Sequence, residues 1–278
     1  MGRRILILRN PAAGRGGAAA VAKVAAAARH LGLNVEIDAP PDAEAMIAAA
    51  AAAACDALAI AGGDGTVRLL APLLAARGLP LALIPTGTAN ILALETRAPR
   101  NAAAIASALA DGRPLEVPWG RANGAPFVVV AGAGLDGAAA LQAVPWKASL
   151  GRAAYWAGIA QSALVAHHLQ VRIDAAAPRP ADWVLCTAAR QASRRLMPRL
   201  YLATFTGGAA LRPLQLAAVA ASRLAAAPGV ALTPFADALI EATPAAPTEI
   251  DGEPLGQTPL TLRAEDAPLL LLRPAAAG

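Results

Sequence analysis

Ala57-Leu58-Ala59-Ile60-Ala61-Gly62-Gly63-Asp64-Gly65-Thr66 runs from an apolar stretch through a glycine turn into a segment of helical composition that reaches Arg77. An uninterrupted apolar run of this length reads as a strand buried on both faces, as in a parallel sheet. Glycines directly after such a strand let backbone N–H groups approach an anion, and the following helix N-terminus adds a favourable dipole. Asp64 would repel a bare phosphate, but it suits a turn where a divalent cation bridges carboxylate and phosphate oxygens. The bland alternative is a strand–helix turn in which Asp64 or Thr66 is only the N-cap.

The same strand–turn–helix unit recurs on either side. Ile5–Leu8, Leu33–Ile37 and Leu81–Ile84 read as strands; Ala18–His30 and Asp42–Ala54 read as helices, with a further helix near Ala89. Strands alternating with helices at this spacing predict βαβ units and a parallel sheet. Two more small-residue turns follow strands, Asn10-Pro11-Ala12-Ala13-Gly14 and Pro85-Thr86-Gly87-Thr88-Ala89-Asn90. All three fall at strand C-terminal ends, the edge where such sheets bind ligands.

Beyond Asp111-Gly112-Arg113-Pro114 the texture changes. Phe127–Ala131 reads as a strand and Arg152–His167 as a helix; from Val171 onward short apolar runs are separated by Pro, Gly and Asp. That pattern predicts a mainly antiparallel second domain. The expected division is an α/β domain over 1–118 and a β-rich domain over 119–267, with a last strand near 268–273.

Composition narrows the function classes. The chain is 56% hydrophobic, but 79 of its 278 residues are alanine, which suits helices packed closely on a sheet. The longest unbroken apolar run, Ala45–Cys55, has 11 residues, against the roughly 20 that a membrane-spanning helix needs. Four apolar residues after Arg3-Arg4 do not make a signal peptide, and Cys55 and Cys186 do not suggest a disulfide scaffold. A cytoplasmic protein is expected. Residues 147–212 carry a net charge of +7, with Arg190, Arg194, Arg195 and Arg199 close together. Such a zone attracts an anionic membrane surface; without interleaved aromatics it does not suggest nucleic acid. It is equally compatible with an ordinary solvated face.

Two motifs are weaker. Gly132-Ala133-Gly134-Leu135-Asp136-Gly137 matches a dinucleotide fingerprint literally, but no acidic residue follows near 20 positions on. Asp251-Gly252-Glu253 reads as an acidic β-turn.

Taken together, Asn10-Pro11-x-x-Gly14, Gly62-Gly63-Asp64-Gly65-Thr66, Pro85-x-Gly87-Thr88-x-Asn90, Gly132-x-Gly134-Leu135-Asp136 and Ile250-Asp251-Gly252-Glu253 resemble the diacylglycerol kinase catalytic family. That family is related to sphingosine kinases and NAD kinase. The resemblance implies a two-lobed fold, an α/β lobe and a β-sandwich lobe, with ATP between them. It implies ATP with Mg²⁺ as cofactors and γ-phosphoryl transfer to a lipid hydroxyl, in phospholipid metabolism. It places Asn10, Pro11, Gly14, Gly62, Gly63, Asp64, Gly65, Thr66, Gly87, Thr88 and Asn90 at the nucleotide. It makes Glu253 the first choice of base and Asp251 the second, and sets Asp136 near the acceptor head group. The partner implied is a lipid at an anionic membrane surface, met peripherally on the inner face; a homodimer is left open.

The chain also departs from the family pattern. Phe205–Leu211, where relatives carry an acidic metal loop, holds no carboxylate; Ile91-Leu92 follow Asn90, and Arg68-Leu69 stand where relatives have Asn-Glu. A soluble acceptor of NAD-kinase type, or a binding protein that has lost catalysis, are the alternative readings.

Overall fold

In the computed structural model the chain forms two units, Met1–Val117 with Ala267–Gly278, and Pro118–Asp266. The residues described are 2–13, 16–146, 152–162, 165, 167–188, 197–221 and 223–274.

The first unit contains β1 (Arg4–Arg9), α1 (Gly17–His30), β2 (Asn34–Asp38), α2 (Ala43–Ala52), β3 (Ala57–Gly62), α3 (Asp64–Arg77), β4 (Leu81–Pro85), α4 (Ile91–Glu95), α5 (Ala102–Asp111) and β5 (Arg113–Val117). The chain's last strand, β18 (Leu269–Arg273), joins the same sheet, whose order is β2-β1-β3-β4-β18-β5. Every pairing is parallel except β18 with β5. Ala25 and Ala28 of α1 are fully buried in one cluster with Ala57, Ala59 and Ala61 of β3. Small side chains on both elements let helix and sheet approach closely without voids.

Asparagine and aspartate side chains cap two of these helices, α2 and α5. Asp42 accepts the Ala45 N–H at 2.8 Å and Asn101 accepts the Ala104 N–H at 2.8 Å, each satisfying an orphan first-turn donor. The helix expected near Ala89 begins at Ile91 and lasts five residues. A separate helix, α5, follows it after Pro99-Arg100-Asn101 and was not anticipated.

The second unit is a pair of six-stranded antiparallel sheets. One, in the order β10-β9-β14-β17-β6-β7, uses β6 (Gly120–Ala122), β7 (Ala125–Phe127), β9 (Leu169–Ile173), β10 (Arg179–Ala181), β14 (Asp237–Ala242) and β17 (Leu260–Ala264). The other, β13-β12-β11-β8-β15-β16, uses β8 (Val130–Ala133), β11 (Trp183–Thr187), β12 (Tyr201–Phe205), β13 (Val230–Pro234), β15 (Pro247–Ile250) and β16 (Glu253–Gln257). Val171, Ile240 and Leu262 from the first sheet share a core with Ala131, Val184 and Ile250 from the second, so the sheets form a sandwich. Among the described residues the unit also holds helices α6 (Leu135–Ala143), α7 (Arg152–Ser162) and α8 (Gly208–Ala220). Leu216 and Val219 of α8 pack on Leu185 and Phe205, the outward side chains of the second sheet.

Two expectations change here. Phe127–Ala131 is not one strand: β7 ends at Phe127, β8 starts at Val130, and the bend at Val128-Val129 carries the chain from one sheet to the other. The helix expected to reach His167 ends at Ser162 among the described residues. A hydropathy pattern registers an apolar run and is blind to a corner within it.

Candidate active site

In the first unit the three turns are tied to one another by side chains that the sequence singled out. Asn10 Nδ2 donates to Thr66 Oγ1 at 2.9 Å, and Asn10 Oδ1 accepts the Ala12 N–H at 2.9 Å. The Thr66 side chain is buried over Gly62, where an added Cβ would lie 2.5 Å from its hydroxyl. The first turn is thereby anchored to the start of α3.

The second and third turns meet backbone to backbone. A Cβ on Gly87 would lie 2.5 Å from Gly63 Cα, so only glycine permits this approach. Asn90, in the left-handed region at φ 47°, accepts the Gly87 N–H at 3.0 Å and donates to the Gly87 carbonyl. Asparagine tolerates that backbone and closes the turn with its own side chain.

Asp64 was expected on a metal ion, and the structure gives it a prior duty. Its two oxygens accept the N–H groups of Ile91 at 2.8 Å and Leu92 at 2.9 Å, capping α4 from a different turn. A carboxylate has about four acceptor positions, so two remain for a cation. The Thr86 hydroxyl is buried without a partner, and Gly17 lies beside its side chain. Gly65 and Thr88 are exposed, as is Pro11. An unpaired hydroxyl and a 14-residue helix opening on exposed Gly65 suit phosphate oxygens. The donor set therefore fits phosphate oxygens, and Asp64 keeps acceptor positions that a divalent cation would use. Gly14 lies outside the described residues.

In the second unit Asp251 sits at φ 50° in the turn after β15. Its carboxylate accepts the N–H groups of Val128 at 3.1 Å, Val129 at 2.8 Å and Val130 at 3.0 Å. It satisfies the corner between the sheets, a positioning duty that the sequence did not announce. Asp251→Ala should lower the stability of this unit by about 3 kcal/mol, since charged hydrogen bonds to buried amides are lost together. Thermal unfolding checks this; a change below about 0.5 kcal/mol would contradict it. Glu253, at the start of β16, is exposed.

Asp136 was expected near an acceptor head group, but it is 3% exposed and its carboxyl lies over Gly132. Its hydrogen-bonding neighbour is Glu249 of β15, 0% exposed, a residue the sequence reading missed. Burial pushes Asp136 up to about 6, partly offset by the bond to Glu249. Burial, then the charge of Asp136, raises Glu249 well above the carboxylate range, against the Gly252 N–H that lowers it. The only clue in the sequence was an acidic residue within an apolar strand-like stretch, two before Asp251.

The loop with no carboxylate of its own borrows one. Gly207, at φ 105°, opens α8, and Asp182 Oδ2 accepts the Gly208 N–H at 2.7 Å. Among the described residues, no group of three or more His, Cys, Asp or Glu side chains is placed to hold a metal ion.

A mostly parallel sheet with interlocked glycine turns at its strand ends, and a separate β-sandwich unit, define an α/β fold with a second, antiparallel domain. Residues 4–122, rather less than half of the chain, match the model of the diacylglycerol kinase catalytic domain. Over 144 residues the chain is 36% identical to a diacylglycerol kinase of Mycobacterium tuberculosis strain H37Rv, which covers 48% of this chain. The chain spans about half of that relative, 46%. Its fold matches the crystal structure of a diacylglycerol kinase from Bacillus anthracis strain Sterne with a TM-score of 0.77, at 19% identity and 99% coverage of both chains. A second structure from that strain gives 0.75 at 18% identity, covering 98% of this chain and 97% of the other.

Proposed function

We propose that the chain is an ATP-dependent lipid kinase that transfers the γ-phosphoryl group of ATP to a lipid hydroxyl, with a diacylglycerol-like acceptor. The observation that carries this reading is the interlocked set of turns, Asn10 to Thr66, Gly63 to Gly87 and Asp64 to Ile91-Leu92, within the residues that match the diacylglycerol kinase catalytic-domain model. Phosphoryl transfer asks for positioning and charge stabilisation more than for covalent chemistry. Asn10, Gly63, Gly65, Thr66, Gly87 and Thr88 would hold the nucleotide, and the Asp64 carboxylate would hold a Mg²⁺ ion whose contribution, when bound, is to neutralise phosphate charge. Glu253 accepts the acceptor's hydroxyl proton as its oxygen bonds to the γ-phosphorus and the bond to ADP breaks. Asp251 holds the turn that presents Glu253.

A membrane-bound acceptor is supported by exposed apolar side chains. Leu141, Val144 and Trp146 are 53%, 53% and 51% exposed along the end of α6 and the turn that follows. Arg172, Arg179 and Arg199 of the basic zone are exposed, whereas Arg212 is buried and donates to the Val165 carbonyl at 3.0 Å. Lys147, Arg190, Arg194 and Arg195 lie outside the described residues. No helix among the described residues is long and apolar enough to cross a membrane.

The test is flotation with vesicles of phosphatidylglycerol containing diacylglycerol, in the presence of labelled ATP, beside an assay of NAD phosphorylation. Flotation with label in the lipid supports the reading; no flotation with phosphorylated NAD replaces it with a soluble acceptor. Replacing Leu141, Val144 and Trp146 together by serine should weaken vesicle binding roughly tenfold or more, leaving ATP affinity unchanged. Equal vesicle binding would remove these residues from the membrane contact.

A further inference from the structure

Glu249 occupies a position in unit 2 that the mechanism above does not use. It is fully buried on β15, directly opposite Gly132 of β8 in the antiparallel register. Ala131 and Ile250 point into the sandwich core, so Gly132 and Glu249 point to the other face of the sheet, toward α6. Gly132 has no side chain, and the vacated space holds the Asp136 carboxyl from the first turn of α6; a Cβ there would collide with Asp136 Oδ2. Two carboxyls thus share one buried spot.

The two oxygens of Glu249 have different surroundings. Oε2 accepts the Gly252 N–H at 2.7 Å, inside the Asp251-Gly252-Glu253 turn. Oε1 is buried and meets no N–H or O–H donor. The neighbour it has is the Asp136 carboxyl. Two ionised carboxylates repel, so the contact becomes a hydrogen bond only when one proton is shared between them. Asp251 and Cys186 are the other titratable groups acting on Glu249, and Glu253 stands on β16, which pairs with β15; all are acids. None supplies a counter-charge.

We infer that Glu249 is a positioning residue for Glu253: a proton shared with Asp136 links the start of α6 to Glu249, and Glu249 in turn fixes Gly252 in the turn that carries the base. This rests on the proposed role of Glu253. Deprotonation at high pH puts a second negative charge in the buried spot and drives α6 and the turn apart. Unfolded, both acids titrate in the ordinary range near 4. The folded state keeps their protons to higher pH, Asp136 to about 6 and Glu249 well above its usual range. It therefore binds more protons than the unfolded state, and stability declines as pH rises through and beyond that window.

Glutamine at this position separates the ideas, because its carbonyl can accept from Gly252 while its N–H₂ donates to Asp136 without a titrating proton. Glu249→Ala should lower kcat for phosphoryl transfer roughly tenfold or more, with KM for ATP unchanged, and Glu249→Gln should recover it to within about threefold. The melting temperature of the wild type should fall between pH 5 and 9, and that of Glu249→Gln should stay nearly level. Unchanged kcat in Glu249→Ala, or an equal loss in Glu249→Gln, overturns the positioning role. Parallel melting curves for wild type and Glu249→Gln overturn the shared proton, even if Glu249→Ala fails to fold. A wild type that transfers no phosphate to any acceptor overturns the kinase reading and with it the link to Glu253, while the melting curves still decide the proton pair.

Discussion

Glu253→Gln is expected to slow phosphoryl transfer by roughly 10²–10⁴-fold, the range for removal of a general base, while ATP affinity and the melting temperature stay at wild-type values. Glu253 is exposed at the start of β16, next to a turn already held by Asp251 and Glu249, so glutamine there disturbs no buried group. Single-turnover measurement separates the chemical step from binding. A rate within threefold of wild type would move the base elsewhere. Asp251→Ala should behave differently, losing stability together with rate, because its carboxylate serves the Val128–Val130 amides.

Gly87→Ala is expected to weaken ATP binding by roughly 100-fold, about 2.7 kcal/mol, and to lower the stability of the α/β unit by about 1–3 kcal/mol. The added Cβ would lie 2.5 Å from Gly63 Cα, 3.0 Å from Asn90 Oδ1 and 3.1 Å from Gly63 N. Backbone cannot swing aside as a flexible side chain can, so the two turns must separate. Gly63→Ala places its Cβ 3.2 Å from Gly87 Cα and should cost less. Calorimetric ATP titration of both variants checks the order; equal affinities for Gly87→Ala and wild type would dissociate the turn contact from nucleotide binding.

The α/β fold was legible because its signals are local. Short apolar strands, alanine-rich helices and glycine turns each declare themselves within a few residues, and β1, β3 and β4 fall where hydropathy puts them. Residues of the turns were legible by type, but their roles were not. Asp64 reads as a metal ligand because a carboxylate beside glycines invites a cation; that it also caps α4 depends on a contact 27 and 28 residues away. Asp64→Asn would accordingly disturb the second glycine turn as well as any ion, since one acceptor becomes a donor facing an N–H.

The second unit hid more. Asp251 reads as an acid in a β-turn, yet its three amide partners lie more than 120 residues earlier. The Asp136–Glu249 pair was invisible for the same reason: strand register brings Gly132 opposite Glu249, and no spacing along the chain encodes it. The basic zone was a property of the sequence average. In the fold Arg212 is a buried donor, so net charge overstates the surface available to a membrane.

The account stands most directly on one measurement: the fate of the γ-phosphate. With labelled ATP and Mg²⁺, and an acceptor panel of diacylglycerol, sphingoid base, ceramide and phosphatidylglycerol in mixed micelles, extraction sorts the label into lipid, inorganic phosphate and unreacted nucleotide. The account predicts label in the lipid phase with at least one of these acceptors, lost in Glu253→Gln and Gly87→Ala. Intact ATP binding with no label in any lipid would contradict it.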